Sequence, residues 1–150
     1  MTLPKLIWHL DNKTGDHDLI RIILEGVAAS RTFIDPGEFI ASLAATAHTE
    51  LPDLALIDVN MLRLDGIALL KLIRNDPRLH GLRVCVLSDT LGTEAEPALE
   101  QLGADCVLLK PTTFDGSLAL QERVRAVLGG SIAPAAMLLK ARSAGARGSP

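Results

Sequence analysis

Cysteine is scarce: the chain has 2. A structural zinc site needs about four closely spaced ligands, and nothing here supplies them. Cys85 and Cys106 each sit inside an apolar run and read as reduced, buried thiols rather than a disulfide or metal pair. Positive charge is not in surplus, because 15 Lys and Arg against 18 Asp and Glu give a net charge of -3. That removes the electrostatic footprint expected of a nucleic-acid binder. No apolar stretch approaches the ~20 residues that cross a bilayer. Met1-Thr2-Leu3-Pro4-Lys5 leads straight into a strand-like run and lacks the features of a signal peptide. Together these gaps predict a cytoplasmic chain with no nucleic-acid or membrane partner.

Apolar residues make up 48% of the 150, more than a disordered chain carries. The length suits one domain whose core needs no cross-link. Apolar spacing predicts a first strand over Lys5–Leu10. A helix follows, capped by Asp16 or Asp18, with Leu19, Ile20, Ile22, Ile23 and Leu24 on a broad buried face. Arg31–Ile34 reads as a short second strand, Asp35-Pro36-Gly37 as a turn, and Phe39 to about Ala47 as a helix. Leu54–Asp58 reads as the third strand. The next helix carries Ile67, Leu69, Leu70, Leu72 and Ile73, and Asp76-Pro77 ends it. Arg83–Ser88, Glu94–Leu102 and Cys106–Leu109 read as strand, polar helix and strand. Asp115 is the expected cap of a last helix running to Leu128.

This alternation predicts an α/β fold, a doubly wound five-stranded parallel sheet between two helix layers. Leu54–Ile57 and Val84–Leu87 are apolar without alternation, as strands buried on both faces are. Residues 1–130 form this domain. Residues 131–150, rich in Ala, Gly and Ser with Lys140, Arg142 and Arg147, read as a C-terminal tail with at most a short helix.

Four of the apolar runs end in a polar residue. Leu6–Leu10 runs into Asp11-Asn12, Leu54–Ile57 into Asp58, Val84–Leu87 into Ser88, and Cys106–Leu109 into Lys110-Pro111. Strands of a parallel sheet point the same way, so these residues gather along one edge, where open α/β sheets bind ligands. Carboxylates, a hydroxyl and an ammonium gathered there suit phosphoryl transfer, which depends mainly on positioning and charge neutralisation.

In this order, and with Asp65-Gly66 and Gly103-Ala104-Asp105 between them, these segments resemble the receiver domain of bacterial two-component response regulators, over roughly Pro4 to Gly129. The resemblance implies a flavodoxin-like strand order, 2-1-3-4-5, and a signalling role without enzyme activity. It implies that a histidine kinase or phosphotransfer protein passes a phosphoryl group to Asp58, with Ser88 and Lys110 at the family's hydroxyl and lysine positions. It also implies Mg2+ as cofactor, held by Asp11, Asn12, Asp58 and the backbone carbonyl of Asn60. Hard oxygen ligands with several waters suit that ion. Output would run through a downstream protein partner, at the face of the fourth helix, fifth strand and fifth helix, or by relay of the phosphoryl group, with a homodimer through the same face as a further expectation. Residues 131–150 are too few for an output module, so the expectation is a stand-alone receiver.

Each residue also has a structural reading. Asp58 would be an exposed strand-end acid, Lys110 a solvated lysine, Asp11 a turn cap and Ser88 a helix cap. The joint pattern favours the functional readings. His9 reads as core or rim, Trp8 as core, and His17, His48 and His80 as structural. The pattern departs from the family at four places. Asn12 replaces a carboxylate of the acidic pair, Leu62 a proline, Val107 the Tyr or Phe whose ring moves with the hydroxyl, and Asp89 a small residue. Two alternatives remain open. One is a pseudo-receiver, a phosphorylation-independent interaction module. The other is a haloacid dehalogenase-type phosphatase, which wants a second Asp where this chain has Asn60.

Overall fold

Successive side chains of a strand point to opposite faces of its sheet, so a strand with no polar alternation needs cover on both sides. The computed structural model describes residues 5–59, 66–89 and 95–130, and it supplies that cover. Strands β1 (Leu6–Leu10), β2 (Ala29–Phe33), β3 (Leu54–Asp58), β4 (Val84–Ser88) and β5 (Cys106–Leu109) form one sheet. Its order is β2-β1-β3-β4-β5 and every pairing is parallel, as the resemblance implies. Between the strands run α1 (Thr14–Leu24), α2 (Pro36–Ala45), α3 (Gly66–Asn75) and α4 (Ala95–Gln101), and α5 (Phe114–Leu128) closes the described chain. The tail expected over 131–150 lies outside the described residues.

The two faces build two cores. Ile7, Leu54, Leu56, Cys85, Leu87, Cys106 and Leu108 pack against Ile20, Ile23 and Leu24 of α1 and Leu120, Val124 and Val127 of α5. The alternate residues Trp8, Leu10, Ala55, Ile57, Val84 and Val86 pack against α2, α3 and α4 through Phe39, Leu43, Leu69, Leu70, Ile73 and Leu99. Trp8, Phe33 and Phe39 form a cluster with ring centroids 5.2 to 6.1 Å apart. Cys85 and Cys106 are cross-strand partners, buried and not joined as a disulfide, with their sulfurs hydrogen-bonded at 2.9 Å. That contact, and then burial, push the Cys85 thiol well above its ordinary pKa, so it is a protonated core group.

Several local expectations are corrected. α1 begins at Thr14 with Lys13 in the capping position and no side-chain cap, so Asp16 and Asp18 fall within the helix. Only Ile20, Ile23 and Leu24 of its apolar set are buried, while Leu19 and Ile22 are exposed. A helix touching one sheet face buries one stripe, and five apolar residues in six positions overfill it. Leu72 of α3 is exposed for the same reason. β2 starts two residues earlier than expected, and Ile34 lies outside it and exposed. It is an edge strand, so backbone pairing with β1 recruits Ala29 and Ser30 without apolar side chains. Asp35 is not a free turn residue but the cap of α2, accepting from the Glu38 amide at 3.1 Å, with Pro36 opening the helix. Thr113, not Asp115, caps α5 by accepting from the Gly116 amide.

One half-buried arginine ties the opposite edge of the sheet. Arg74 donates to the carbonyls of Gly103 and Leu82 at 2.8 Å each and of Leu79 at 3.2 Å, and pairs with Asp105 at 3.1 Å. Asp105 also accepts from the Val84 amide, joining this knot to the start of β4. Gly103 has φ +112, and a Cβ there would lie 2.6 Å from Arg74 Cγ. Glycine is therefore required at this turn twice over, by backbone conformation and by the approach of the arginine.

Candidate functional site

Strand parity decides which strand-end groups meet. Ile7 and His9 precede Asp11, Leu54 and Leu56 precede Asp58, and Cys106 and Leu108 precede Lys110, each in steps of two. Ile7, Leu54, Leu56, Cys106 and Leu108 all belong to the α1/α5 core, so Asp11, Asp58 and Lys110 emerge on that side at the same edge. Backbone bonds hold the tips in register. The Asp11 amide donates to Phe33 O, the Val59 amide to Leu87 O, and the Lys110 amide to Ser88 O at 2.8 Å.

The three groups meet in one pocket. Lys110 Nζ donates to Asp11 Oδ2 at 2.9 Å and lies 3.3 Å from Asp58 Oδ2. Asp11 and Asp58 are fully buried and Lys110 is 8% exposed. Asp11 also caps the turn, since its other oxygen, Oδ1, accepts from the Lys13 amide and shapes the entry into α1. Ser88 is half-buried at the end of β4, across from Leu109, and Asp89 after it is exposed. Asn12 is half-buried beside Asp11. Asn60 and Leu62 lie outside the described residues.

Two participants were not legible as such. Asp16, read in the sequence as a helix cap, turns its Oδ2 to Lys110 Nζ at 2.9 Å. It adds a carboxylate to a pocket in which Asn12 contributes none. The available signal was its place five residues after Asp11, at the start of a helix that leaves the functional edge. His9 is fully buried, with Nε2 3.9 Å from Asp11 Oδ2.

The charges reinforce one another. Burial alone would lower the Lys110 pKa, but its hydrogen bonds to Asp16 and Asp11 and the charges of Asp11 and Asp58 outweigh it and raise it well above the usual lysine range. Burial would raise Asp16, yet the hydrogen bond and charge of Lys110, with Lys13 and His9 beyond, hold its carboxyl below the ordinary value. Three carboxylates around one ammonium leave the pocket net negative and attractive to a divalent cation. Among the described residues, no group of three or more His, Cys, Asp or Glu side chains is arranged to hold a metal by itself. An ion using Asp11, Asp58 and the Asn12 amide would keep several water or substrate oxygens. That donor set fits Mg2+ rather than a soft metal.

Beyond this pocket, a groove of about 320 Å³ lies along β5 and α5, lined by Val107, Leu109, Pro111, Thr113, Ala119 and Arg123. It contains none of the carboxylates.

Comparison with known proteins places this geometry among relatives. The profile described as "Response regulator receiver domain" matches residues 14–122. The DNA-binding transcriptional regulator NtrC of Salmonella typhimurium is 33% identical over 119 residues, covering 79% of this chain and 24% of NtrC. Response regulator Rcp1 of Synechocystis is 31% identical over 101 residues, covering 67% of this chain and 63% of Rcp1. A Mn2+-bound crystal structure of Rcp1 superposes with a TM-score of 0.67 at 23% identity, covering 86% of this chain and 95% of that one. The receiver domain of a Francisella response regulator superposes with a TM-score of 0.66 at 26% identity, covering 86% and 99%. The chain thus spans about a quarter of the length of NtrC and under two thirds of that of Rcp1.

Proposed function

The chain belongs to the response regulator receiver domain family, and from that membership we propose that it takes up a phosphoryl group on Asp58. A carboxylate oxygen of Asp58 attacks phosphorus, the new O–P bond forms, and the P–N bond to the histidine of a kinase or phosphotransfer protein breaks. The imidazole leaves as the neutral ring, its nitrogen protonated by water. Lys110 supplies a fixed positive charge to a phosphoryl oxygen, and Ser88 a hydrogen bond. Asp11, Asp58, the amide of Asn12 and the carbonyl of Asn60 would hold Mg2+. When bound, the ion supplies charge neutralisation between two groups that are both anionic. The observation that carries the reading is the burial of Asp58 with its oxygen 3.3 Å from Lys110 Nζ, beside the buried Asp11.

The phosphorylated site would signal to a downstream protein through the surface of α4, β5 and α5, where the groove beside Val107 lies. Relay of the phosphoryl group is the other output, and a homodimer would form through the same surface. We place the protein in the cytoplasm, with its kinase; among the described residues no helix is long and apolar enough to cross a membrane. A second reading, the pseudo-receiver, is favoured by Asn12, by exposed Asp89 and by Val107, which has no ring to couple to Ser88. Family membership leaves the phosphatase alternative without support.

Incubation with acetyl phosphate and Mg2+, read by intact mass, separates the readings. A single phosphoryl adduct that disappears in Asp58→Asn and in chelator is the expected result. A wild type that takes up no adduct over hours would leave only the pseudo-receiver.

A further inference from the structure

An ammonium has three N–H donors. In this pocket three carboxylate oxygens face Lys110 Nζ: Asp11 and Asp16 at 2.9 Å each, and Asp58 at 3.3 Å. Two of its N–H groups are therefore committed to Asp11 and Asp16, and its charge is shared with Asp58, before any phosphoryl group arrives. A phosphoryl oxygen on Asp58 gains the full charge of Nζ only as one of the three gives way.

The three acceptors differ in what displacement would cost. Asp58 carries the incoming group and has no exposure. Asp11 is fully buried and is also tied to the Lys13 amide, so turning it away would break a second bond inside the protein. Asp16 stands on the first turn of α1 with its side chain 32% exposed, and water can replace Lys110 around its carboxylate. Asp16 is the acceptor that yields.

We propose that Asp16 is a positioning residue that competes with the phosphoryl group for Lys110, and so limits how readily the site becomes occupied. This rests on the reading of Asp58 as phosphoacceptor. The exchange involves hydrogen bonds alone: Nζ–H leaves Asp16 Oδ2 for a phosphoryl oxygen, and Asp16 turns into water with its charge unchanged. Removing the competitor strengthens phosphoryl binding. Loss of a purely structural contact would weaken it or leave it unaltered.

The test is a titration with beryllium fluoride, a non-transferable phosphoryl mimic, at saturating Mg2+, followed by fluorine NMR. Wild type, Asp16→Ala, Asp16→Asn and Asp58→Ala are compared, with urea stability measured alongside. Asp16→Ala is expected to bind the mimic roughly two- to fivefold more tightly, the range set by a partly exposed ion pair. Asp16→Asn, which keeps an acceptor but no charge, should fall between it and the wild type, and it serves as the folded test should the alanine variant be unstable. Equal or weaker binding by both Asp16 variants, with Asp58→Ala inert, overturns the competition and leaves the phosphoacceptor reading standing. A wild type that does not bind the mimic removes the phosphoacceptor reading and the competition with it.

Discussion

Replacing Lys110 with methionine removes the ammonium and keeps most of the side chain's volume. Asp11 and Asp58, both without exposure, then face each other without a counter-charge. Their oxygens lie no more than about 6.2 Å apart, because both approach the same nitrogen, at 2.9 and 3.3 Å. Two like charges at that distance repel by roughly 2.7 kcal/mol at an effective dielectric of about 20. Removing one member of a buried ion pair costs about 3–5 kcal/mol in general. Protonation sets a ceiling: placing a proton on one ordinary carboxyl, of pKa near 4, costs about 4 kcal/mol at pH 7 and about 1.4 kcal/mol at pH 5. The expected loss for Lys110→Met is therefore about 3–4 kcal/mol at pH 7, shrinking to about 1 kcal/mol at pH 5. Urea unfolding in chelator measures it without a divalent cation standing in for the ammonium. Adding Asp58→Asn to Lys110→Met should restore most of the stability. A loss below about 1 kcal/mol at pH 7, or an equal loss at both pH values, would mean that the carboxylates are solvated like surface acids and that the buried cluster is misjudged.

Two other outcomes are expected. The Asp16 carboxyl is held below its ordinary value of 3.8, so as pH falls the unfolded chain takes up its proton first. Its contribution is then present above about pH 5 and is lost as pH drops through the depressed folded value. Wild type should lose stability more steeply than Asp16→Ala below about pH 4, with the two within about 1 kcal/mol at pH 7; parallel acid limbs would contradict the Lys110 contact. Gly103→Ala should cost at least about 2 kcal/mol, because φ is +112 and the new Cβ meets Arg74 at 2.6 Å. By contrast, Gly15→Ala in α1, where a Cβ meets nothing within 4 Å, should stabilise by about 0.5–1 kcal/mol. Thermal and urea unfolding of the pair decide this, and similar values at both positions would refute the steric account.

The readable parts of the fold were those with a period. Leu54–Ile57 and Val84–Leu87 announced strands covered on both faces, and the two cores sort their residues alternately. Errors fell where a short polar side chain has two local uses. Asp35 reads as a turn residue and caps α2. Asp115 reads as a cap, although Thr113 stands in the capping position. Composition cannot separate those cases, because Asp, Thr and Ser compete for the same amides over a residue or two. β2 was cut short because an edge strand satisfies its backbone without an apolar pattern.

The sequence by itself determined which groups end the strands and, through steps of two, that Asp11, Asp58 and Lys110 leave the sheet on one face. Parallel pairing needs no more than that order to bring them to a common edge. Only the tertiary structure decided that Asp16 joins them. Its recruitment depends on where α1 begins and how that helix lies beside α5, which are set by the packing of Ile20, Ile23 and Leu24 on the sheet. Local spacing carries strand parity; it carries no record of where a helix docks.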